Sequence, residues 1–451
     1  MTITNRAGSA RASMSGAYRA VWRWHFYAGL LVLPVLCLMA LTGGLYLFKD
    51  EIDAAVWRPY ERIEAGQQWA SPDRWTAAAS VGAGGRVVNV RVPDRPDRAV
   101  RLTVRRPDGA QRTAFVNPYD SQYLGAVRYG GVTEIVKQTH SLSIIGPWAN
   151  LLVEIVAGWA LILVATGLFL WWPRKREAGV LTVRATPLSA RPFWRDVHAV
   201  TGLYAGAVIA FLVVTGMPWS AVWGDRFLGL IRETGSGRPP APAAASPWLH
   251  AEHDDHPAGV GWTMEGAALH GGPHAGPGAL TRVLETAETR QMARPFIVTI
   301  PADSDLAYTV ARENKQVQDA RSLYVGGDGG LRADIRYDQF GVGARAFEWG
   351  VAVHQGTQYG WINRYLMLGG CIAVWLLAIS GLMMWWKRRP PGLSDRRLGA
   401  PTAPPGPRVR AAVLGIVLPL AIIYPMTGLS LIVALALDRL GRLIRRGPSP
   451  A

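Results

Sequence analysis

Five apolar runs, each long enough to cross a bilayer as helix, constrain this chain more than any other feature. They cover roughly residues 26–48, 150–172, 199–223, 362–386 and 411–437. A hydrocarbon core about 30 Å thick needs about 20 such residues at a rise of about 1.5 Å each. In lipid every backbone N–H and C=O must be bonded within the segment, which makes each isolated run a helix. The first run is too long for the apolar part of a cleaved leader, and no small-residue cleavage site follows it, so it is expected to remain as a span. Composition agrees: of 451 residues, 49% are hydrophobic and 18% charged. A net charge of +16 taken alone would admit nucleic acid as a partner. A basic nucleic-acid-binding domain, however, would not carry 19 Trp beside long uncharged runs. A membrane protein with cationic loops accounts for both, so lipid is the expected surrounding and nucleic acid is not a partner.

Cys37 and Cys371 both lie inside apolar runs. That excludes a disulfide framework, a cysteine zinc site and the CxxCH attachment of c-type haem.

Lys and Arg near the span ends set the orientation. Arg6, Arg11, Arg19 and Arg23 precede the first span, and Arg174, Lys175, Arg176, Arg184, Arg191 and Arg195 lie between the second and third. Lys387, Arg388, Arg389, Arg396, Arg397, Arg408 and Arg410 lie between the fourth and fifth. The expected order is a cytoplasmic N-terminus 1–25, span 26–48, external domain 49–149, span 150–172, cytoplasmic loop 173–198 and span 199–223. It continues with external domain 224–361, span 362–386, cytoplasmic loop 387–410, span 411–437 and tail 438–451. In a two-membrane bacterium the external segments are periplasmic and the membrane is the inner one. The tail carries Arg439, Arg442, Arg445 and Arg446, which pulls against placing it outside.

The chain reads as an internal duplication of a span–domain–span unit. Aligning His25 with His198 brings Gly29 onto Gly202 and Thr42-Gly43 onto Thr215-Gly216. Aligning His140 with His354 brings Glu134 onto Glu348, Gly146 onto Gly360, Gly167 onto Gly381 and Trp171-Trp172 onto Trp385-Trp386, without gaps. The fifth span echoes the first: Pro419 precedes Thr427-Gly428 as Pro34 precedes Thr42-Gly43, with Arg410 in place of the histidine. The two external segments read as small α+β modules. Strand patterns stand in RVVNVRV, AVRLTVRRPDG and QRTAFVNPYDSQYLGAV, then in PFIVTIP, LAYTVARENKQ and SLYVGGDGGLRADIRY. A loop rich in Gly, Pro, Ala and His, 235–278, precedes the second set and is not expected to pack as a core.

Four histidines carry the chemical signal. His25 and His198 start spans one and three on the cytoplasmic side, and His140 and His354 precede spans two and four on the external side. Each face thus has a pair of equivalent histidines. Two neutral imidazoles make a six-coordinate haem iron suited to electron transfer, so two pairs predict two b-type haems, one near each face. A histidine at a span end is more often an ordinary interfacial group; four at equivalent positions favour ligation. Read as helices, Val132, Ile135, Val136 and His140 share a face, as do Phe347, Val351 and His354. The Trp pairs, followed by Arg and Lys, read as an aromatic belt with cationic anchors. The Thr-Gly pairs permit close approach of a helix or a porphyrin. Glu154 either snorkels to the interface, the commoner case, or accepts a proton. Arg19, Arg23, Arg195 and Arg364 either pair with haem propionates or anchor helix ends. The loop bearing His250, His253, His256, His270 and His274 is either a solvated loop or a metal-capturing one.

WRWHFYAGL, the TGG of the first span, DVHAVTGLYAG, TGLFLWWPRKR, AISGLMMWWKRR and AFVNPYDSQYLG together resemble the PepSY-associated transmembrane proteins, also called iron-regulated membrane proteins. The likeness runs from about Tyr18 to Leu435; the His-rich insertion departs from it. The resemblance implies a bacterial inner-membrane ferric-siderophore reductase, a haem-dependent oxidoreductase. His25, His140, His198 and His354 would be its ligands, and 49–149 and 224–361 its PepSY modules. No GxGxxG follows a strand, so the electron donor is expected to be a reduced flavin, a quinol or a reductase protein. Arg101, Arg105, Arg106, Arg128 and Arg336 are candidates for attracting an anionic ferric chelate. Two readings of other classes stand beside this one. One is a non-enzymatic PepSY membrane anchor that regulates peptidases; the other is a metal or haem transporter.

Overall fold

In the computed structural model, residues 4–172, 181–184, 186–237, 277–303, 306–388 and 407–445 are described. They divide into two compact units. One comprises residues 1–47, 138–227 and 364–451, and the other residues 48–137 and 228–363.

The first unit is helical. Among the described residues, four helices are long and apolar enough to cross a membrane: Gly16–Tyr46, Pro147–Trp171, Arg191–Trp219 and Gly360–Trp386. The first belongs to α1 (Thr4–Tyr46). Helices α2 (Lys49–Val56) and α3 (Arg58–Glu61) follow it, then α4 (Pro72–Ala83) and α5 (Gly131–His140). The other spans contain α6 (Asn150–Trp171) and α7 (Arg191–Gly216), and, beyond α8 (Ala221–Glu233), α9 (Ala279–Thr289) and α10 (Val342–His354), α11 (Gly360–Trp386). Around α6 the packing is apolar: Val156, Trp159 and Ile162 meet Ala28 and Val32 of α1.

The single helix expected over 411–437 is two, α12 (Pro407–Ile423) and α13 (Pro425–Arg445). The break falls at Tyr424 because Pro425 has no N–H to donate and its ring disfavours helical backbone in the residue before it. Val417, Ala421 and Leu431 still pack with Val32 and Val156, so the broken segment closes the same core.

The second unit is built on one antiparallel sheet, to which each external segment contributes four strands. Strands β1 (Arg86–Val92), β2 (Val100–Arg105), β3 (Gln111–Val116) and β4 (Tyr123–Arg128) form one half. Strands β5 (Phe296–Thr299), β6 (Tyr308–Arg312), β7 (Arg321–Val325) and β8 (Leu331–Arg336) form the other. The order is β4-β3-β2-β1-β5-β6-β7-β8. At the seam Val90 pairs with Val298 and Val92 with Phe296. Each half alone would leave its first strand as an exposed edge, and joining them covers both. On one face α4 and α9 bury Trp75, Ala79, Leu280, Val283 and Leu284 against Val90, Leu102, Val298 and Val310. Helix α4 stops at Gly84, whose φ of 70° lies in the left-handed region that a helix-ending glycine adopts at little cost. On the other face of β2, Arg101 stacks 4.7 Å over the Trp57 ring and donates to Glu61 Oε1 at 2.9 Å.

Candidate functional site

Three of the four histidines lie in the helical unit, and each rests on the same device. A span helix carries a hydroxyl residue followed by glycine, and the imidazole lies against that step. His25 Nδ1 meets Thr166 Oγ1 at 2.8 Å. His198 Nδ1 meets Ser380 Oγ at 3.0 Å and the Leu377 carbonyl at 3.1 Å. His140 Nδ1 meets Thr42 Oγ1 at 3.0 Å. A Cβ on the following glycine would stand 3.4 Å from His25 Cε1 at Gly167, 3.7 Å from His198 Cε1 at Gly381 and 3.2 Å from His140 Cε1 at Gly43. Glycine therefore lets an imidazole ring reach the helix backbone.

The hydroxyls fix the tautomer. Thr166 donates its one hydroxyl hydrogen to the Ile162 carbonyl at 2.6 Å, Ser380 to Leu376 at 2.6 Å and Thr42 to Leu38 at 2.8 Å. Each hydroxyl oxygen then has only lone pairs to offer the imidazole, so Nδ1 carries the hydrogen. The carbonyl of Leu377, an acceptor only, requires the same of His198. The lone pair of each neutral imidazole is consequently on Nε2, the nitrogen left for a metal.

His25 and His198 come together: their ring centres are 6.2 Å apart and their planes cross at 86°. Two metal–imidazole bonds of about 2 Å each, with the half-width of each ring, give a centre-to-centre span of about 6 Å. The pair suits one metal atom between them. Two residues from His198, Asp196 is fully buried and held by Arg184 at 2.6 Å and by Arg195 at 2.9 Å. Arg195, a sequence candidate for propionate binding, is thus committed to Asp196 and to anchoring α7. Arg23 lies 5.0 Å over the Tyr27 ring.

His354 ends α10 in the other unit, where Phe347 and Val351 are buried on its face as the sequence predicts. On α5, Val132 and Ile135 of the apolar face are exposed, and Thr133 is buried, donating to Asp53 Oδ1 at 2.8 Å. Burial raises the Asp53 carboxyl to about 6, against lowering by the Thr133 hydroxyl and Arg101. Arg101 is not a free cation for a chelate, being bound to Glu61 and stacked on Trp57. Trp172 and Trp386 are exposed, as a belt requires. Glu154 does not snorkel: it is fully buried. The His250–His274 loop lies outside the described residues.

Thr166 and Ser380 were not singled out by sequence reasoning. The signal is present: each stands just before the paired glycines Gly167 and Gly381, 26 residues after His140 and His354 respectively.

These features define a helical membrane protein whose spans orient neutral imidazoles on hydroxyl–glycine steps, joined in one chain to an antiparallel sheet covered by helices. The chain belongs to the PepSY-associated TM region family, whose family model matches residues 22–388. Comparison with curated proteins gives no match.

Proposed function

We propose that the chain is a di-haem b electron conduit of the bacterial inner membrane that reduces a ferric chelate, a ferric siderophore being the expected class, on the periplasmic side. The observation that carries this reading is the approach of His25 and His198 to 6.2 Å with both Nδ1 atoms already bonded to protein. A haem bound between two imidazoles supplies a one-electron carrier that keeps its ligands in both oxidation states.

His25 and His198 would hold the cytoplasmic haem. Thr166 and Ser380 keep each ring in the Nδ1–H tautomer, and Gly167 and Gly381 give the rings room. By their equivalent repeat positions, His140 and His354 are the second pair, and Thr42-Gly43 is the step under His140. The sheet order, which reads the same from either end, supports the duplicated unit behind this pairing. Five crossings with a cytoplasmic N-terminus, the last one broken at Tyr424, complete the topology. Electrons arrive from a reduced flavin, a quinol or a reductase protein. Reduction to Fe(II) weakens the hold of hard oxygen donors on iron and releases it.

The test is spectroscopic first. A pyridine haemochrome assay should give two b-type haems per chain, and a colourless protein would sink the reading. Dithionite-reduced protein mixed anaerobically with a ferric siderophore should reoxidise as ferrozine traps Fe(II). His25→Ala and His198→Ala should remove one haem, and His140→Ala and His354→Ala the other. Reoxidation by a quinone but by no ferric chelate would redirect the conduit to the quinone pool.

A further inference from the structure

A groove of about 390 Å³ runs along the helical unit between α1 and α11. Leu33, Cys37 and Leu41 line it from α1, and Trp375, Ala378 and Leu382 from α11. Its volume lies in the range of small-molecule pockets, about 300–1,000 Å³. Ala378 is buried, whereas Leu41, Trp375 and Leu382 are exposed and form an open rim. Both helices are long and apolar enough to cross a membrane, so the molecules that reach this rim are lipid-soluble ones. The other repeat closes the matching place. There Ala210 of α7 stands for Cys37, and Leu161 and Val164 of α6 stand for Trp375 and Ala378. Ala210 joins the packing around buried Ala157 and Leu161, and a Cβ on Gly206 would stand 3.6 Å from Val164. The duplicated fold therefore does not by itself require the groove.

The two ends of the groove differ. One end adjoins the His25–His198 pair, because Leu382 directly follows Ser380-Gly381, the step on which the His198 ring rests. At the same end α1 contains Pro34, which also lines the groove. Proline has no N–H, so the Leu30 carbonyl, four residues earlier, lacks its helical donor. Carbonyls of a helix point toward the following turn, so this acceptor is aimed at Pro34 and the groove. Ala207, at the matching position of α7, carries an N–H and frees no such acceptor. From there to Leu41 and Trp375, every lining side chain is apolar apart from the Cys37 thiol.

We propose that this groove binds an isoprenoid quinol as the electron donor, its ring at the Pro34–Leu382 end and its tail along Leu41 and Trp375. The proposal rests on the di-haem conduit above and selects one of its three donor classes. A quinol matches both ends: its branched hydrocarbon tail suits apolar walls, and its ring hydroxyl finds an acceptor in the Leu30 carbonyl. A free flavin or a reductase protein needs several polar or charged partners, and the lining side chains supply none. Oxidation breaks the two O–H bonds of the quinol and leaves the quinone. Its two protons go to the cytoplasmic water. Its two electrons leave one at a time by way of the His25–His198 site and reduce two ferric chelates to the ferrous state.

The test begins with binding. The full chain in nanodiscs is irradiated with an azido-benzoquinone that bears an isoprenoid tail, and the labelled peptides are mapped by mass spectrometry. Label should fall on residues 31–41 and 375–382. Excess unlabelled quinone should abolish it, and saturated phospholipid should not. Haem reduction by a decyl-tailed benzoquinol is then followed by stopped flow. Cys37→Phe fills the groove from α1, and Ile379→Trp fills it from the exposed rim on α11. Each should slow that reduction by at least about 10-fold while dithionite still reduces the haem. Ile379→Trp changes an exposed residue, so it decides the matter if Cys37→Phe does not fold. Equal competition by phospholipid would make the groove an acyl-chain contact only. That result, label elsewhere, or wild-type rates in the filled variants overturns the proposal. A haem that ferric chelates reoxidise but no quinol reduces overturns the donor and leaves the conduit standing. A protein without haem overturns the conduit and the donor role with it.

Discussion

Thr166→Val keeps the shape of the side chain and deletes the acceptor of His25 Nδ1–H. The structure gives His25 Nδ1 one partner, Thr166 Oγ1 at 2.8 Å, whereas His198 Nδ1 has two, Ser380 Oγ at 3.0 Å and the Leu377 carbonyl at 3.1 Å. Removing the only acceptor of a shielded N–H costs roughly 1–3 kcal/mol. Loss of the hydrogen-bond partner of a metal-bound histidine typically weakens the metal site by about 10–100-fold. In Ser380→Ala the Leu377 carbonyl still holds the ring in the same tautomer, so the cost should stay below about 1 kcal/mol. The two variants would alter the same proposed haem site and remove the same kind of hydroxyl, yet Thr166→Val should have the larger effect. Haem transfer to an excess of apomyoglobin, followed in the Soret region, gives the dissociation rate of each. The faster phase should accelerate by about 10-fold or more in Thr166→Val and by a few-fold at most in Ser380→Ala. Thr166→Ser should behave as wild type. Equal effects, or the reverse order, would refute the argument that the hydroxyl sets the tautomer of His25.

Gly43→Ala places a methyl 3.2 Å from His140 Cε1, closer than such contacts normally come, and should broaden or shift the low-spin signal of one haem in electron paramagnetic resonance while sparing the other. Trp75 is fully buried in the core under β1–β5 and donates Nε1–H to the Pro118 carbonyl at 3.1 Å. Trp75→Ala should cost roughly 3–5 kcal/mol, read as an earlier loss of β signal in thermal circular dichroism. The Asp53 carboxyl, raised to about 6 by burial, binds its proton more tightly folded than unfolded. Its contribution to stability is therefore full below the ordinary carboxylate range near 4 and is lost as pH rises through about 6. Melting profiles should show wild type losing apparent stability from pH 4 to 6.5, by at most about 3 kcal/mol, and Asp53→Asn losing less over the same window.

Much of this was legible because local patterns decide it. RVVNVRV alternates, and β1 covers those residues, Arg86–Val92. Uncharged runs in lipid have no alternative to helix, so α6 and α11 follow directly. What was not legible depends on distant partners. The β1–β5 seam joins segments about 200 residues apart, and each strand reads the same whether its edge is open or paired. Helix α4, PDRWTAAASVGA, is rich in small residues and shows no strong apolar stripe, so only its packing on the sheet reveals it. The Thr166 hydroxyl lies 141 residues from His25, and nothing local marks it as a partner of an imidazole. Position alone leaves Glu154 either snorkelling or accepting a proton; the backbone donors that hold it inside belong to another helix. The break at Tyr424 was legible in principle from Tyr-Pro, but the length of the run outweighed it.

The hydroxyl–glycine step explains how an apolar helix can orient an imidazole. Most backbone carbonyls in the interior of a span are already bound within the helix, and little water reaches them to share the load. A threonine or serine offers a spare acceptor without breaking that ladder, because its hydrogen goes back to the carbonyl four residues earlier and its lone pairs face outward. Glycine next to it removes the atom that would hold the ring away. Each imidazole therefore takes its direction from a neighbouring helix: His25 of α1 from α6, and His198 of α7 from α11. Each ring's orientation is thus tied to helix packing, as the proposed bis-imidazole haem site would require. An electron carrier needs that property more than it needs an open coordination site. Thr427-Gly428 of α13 has the same residue pair but not the same bonding: its buried hydroxyl makes no hydrogen bond and lies against Gly158 of α6.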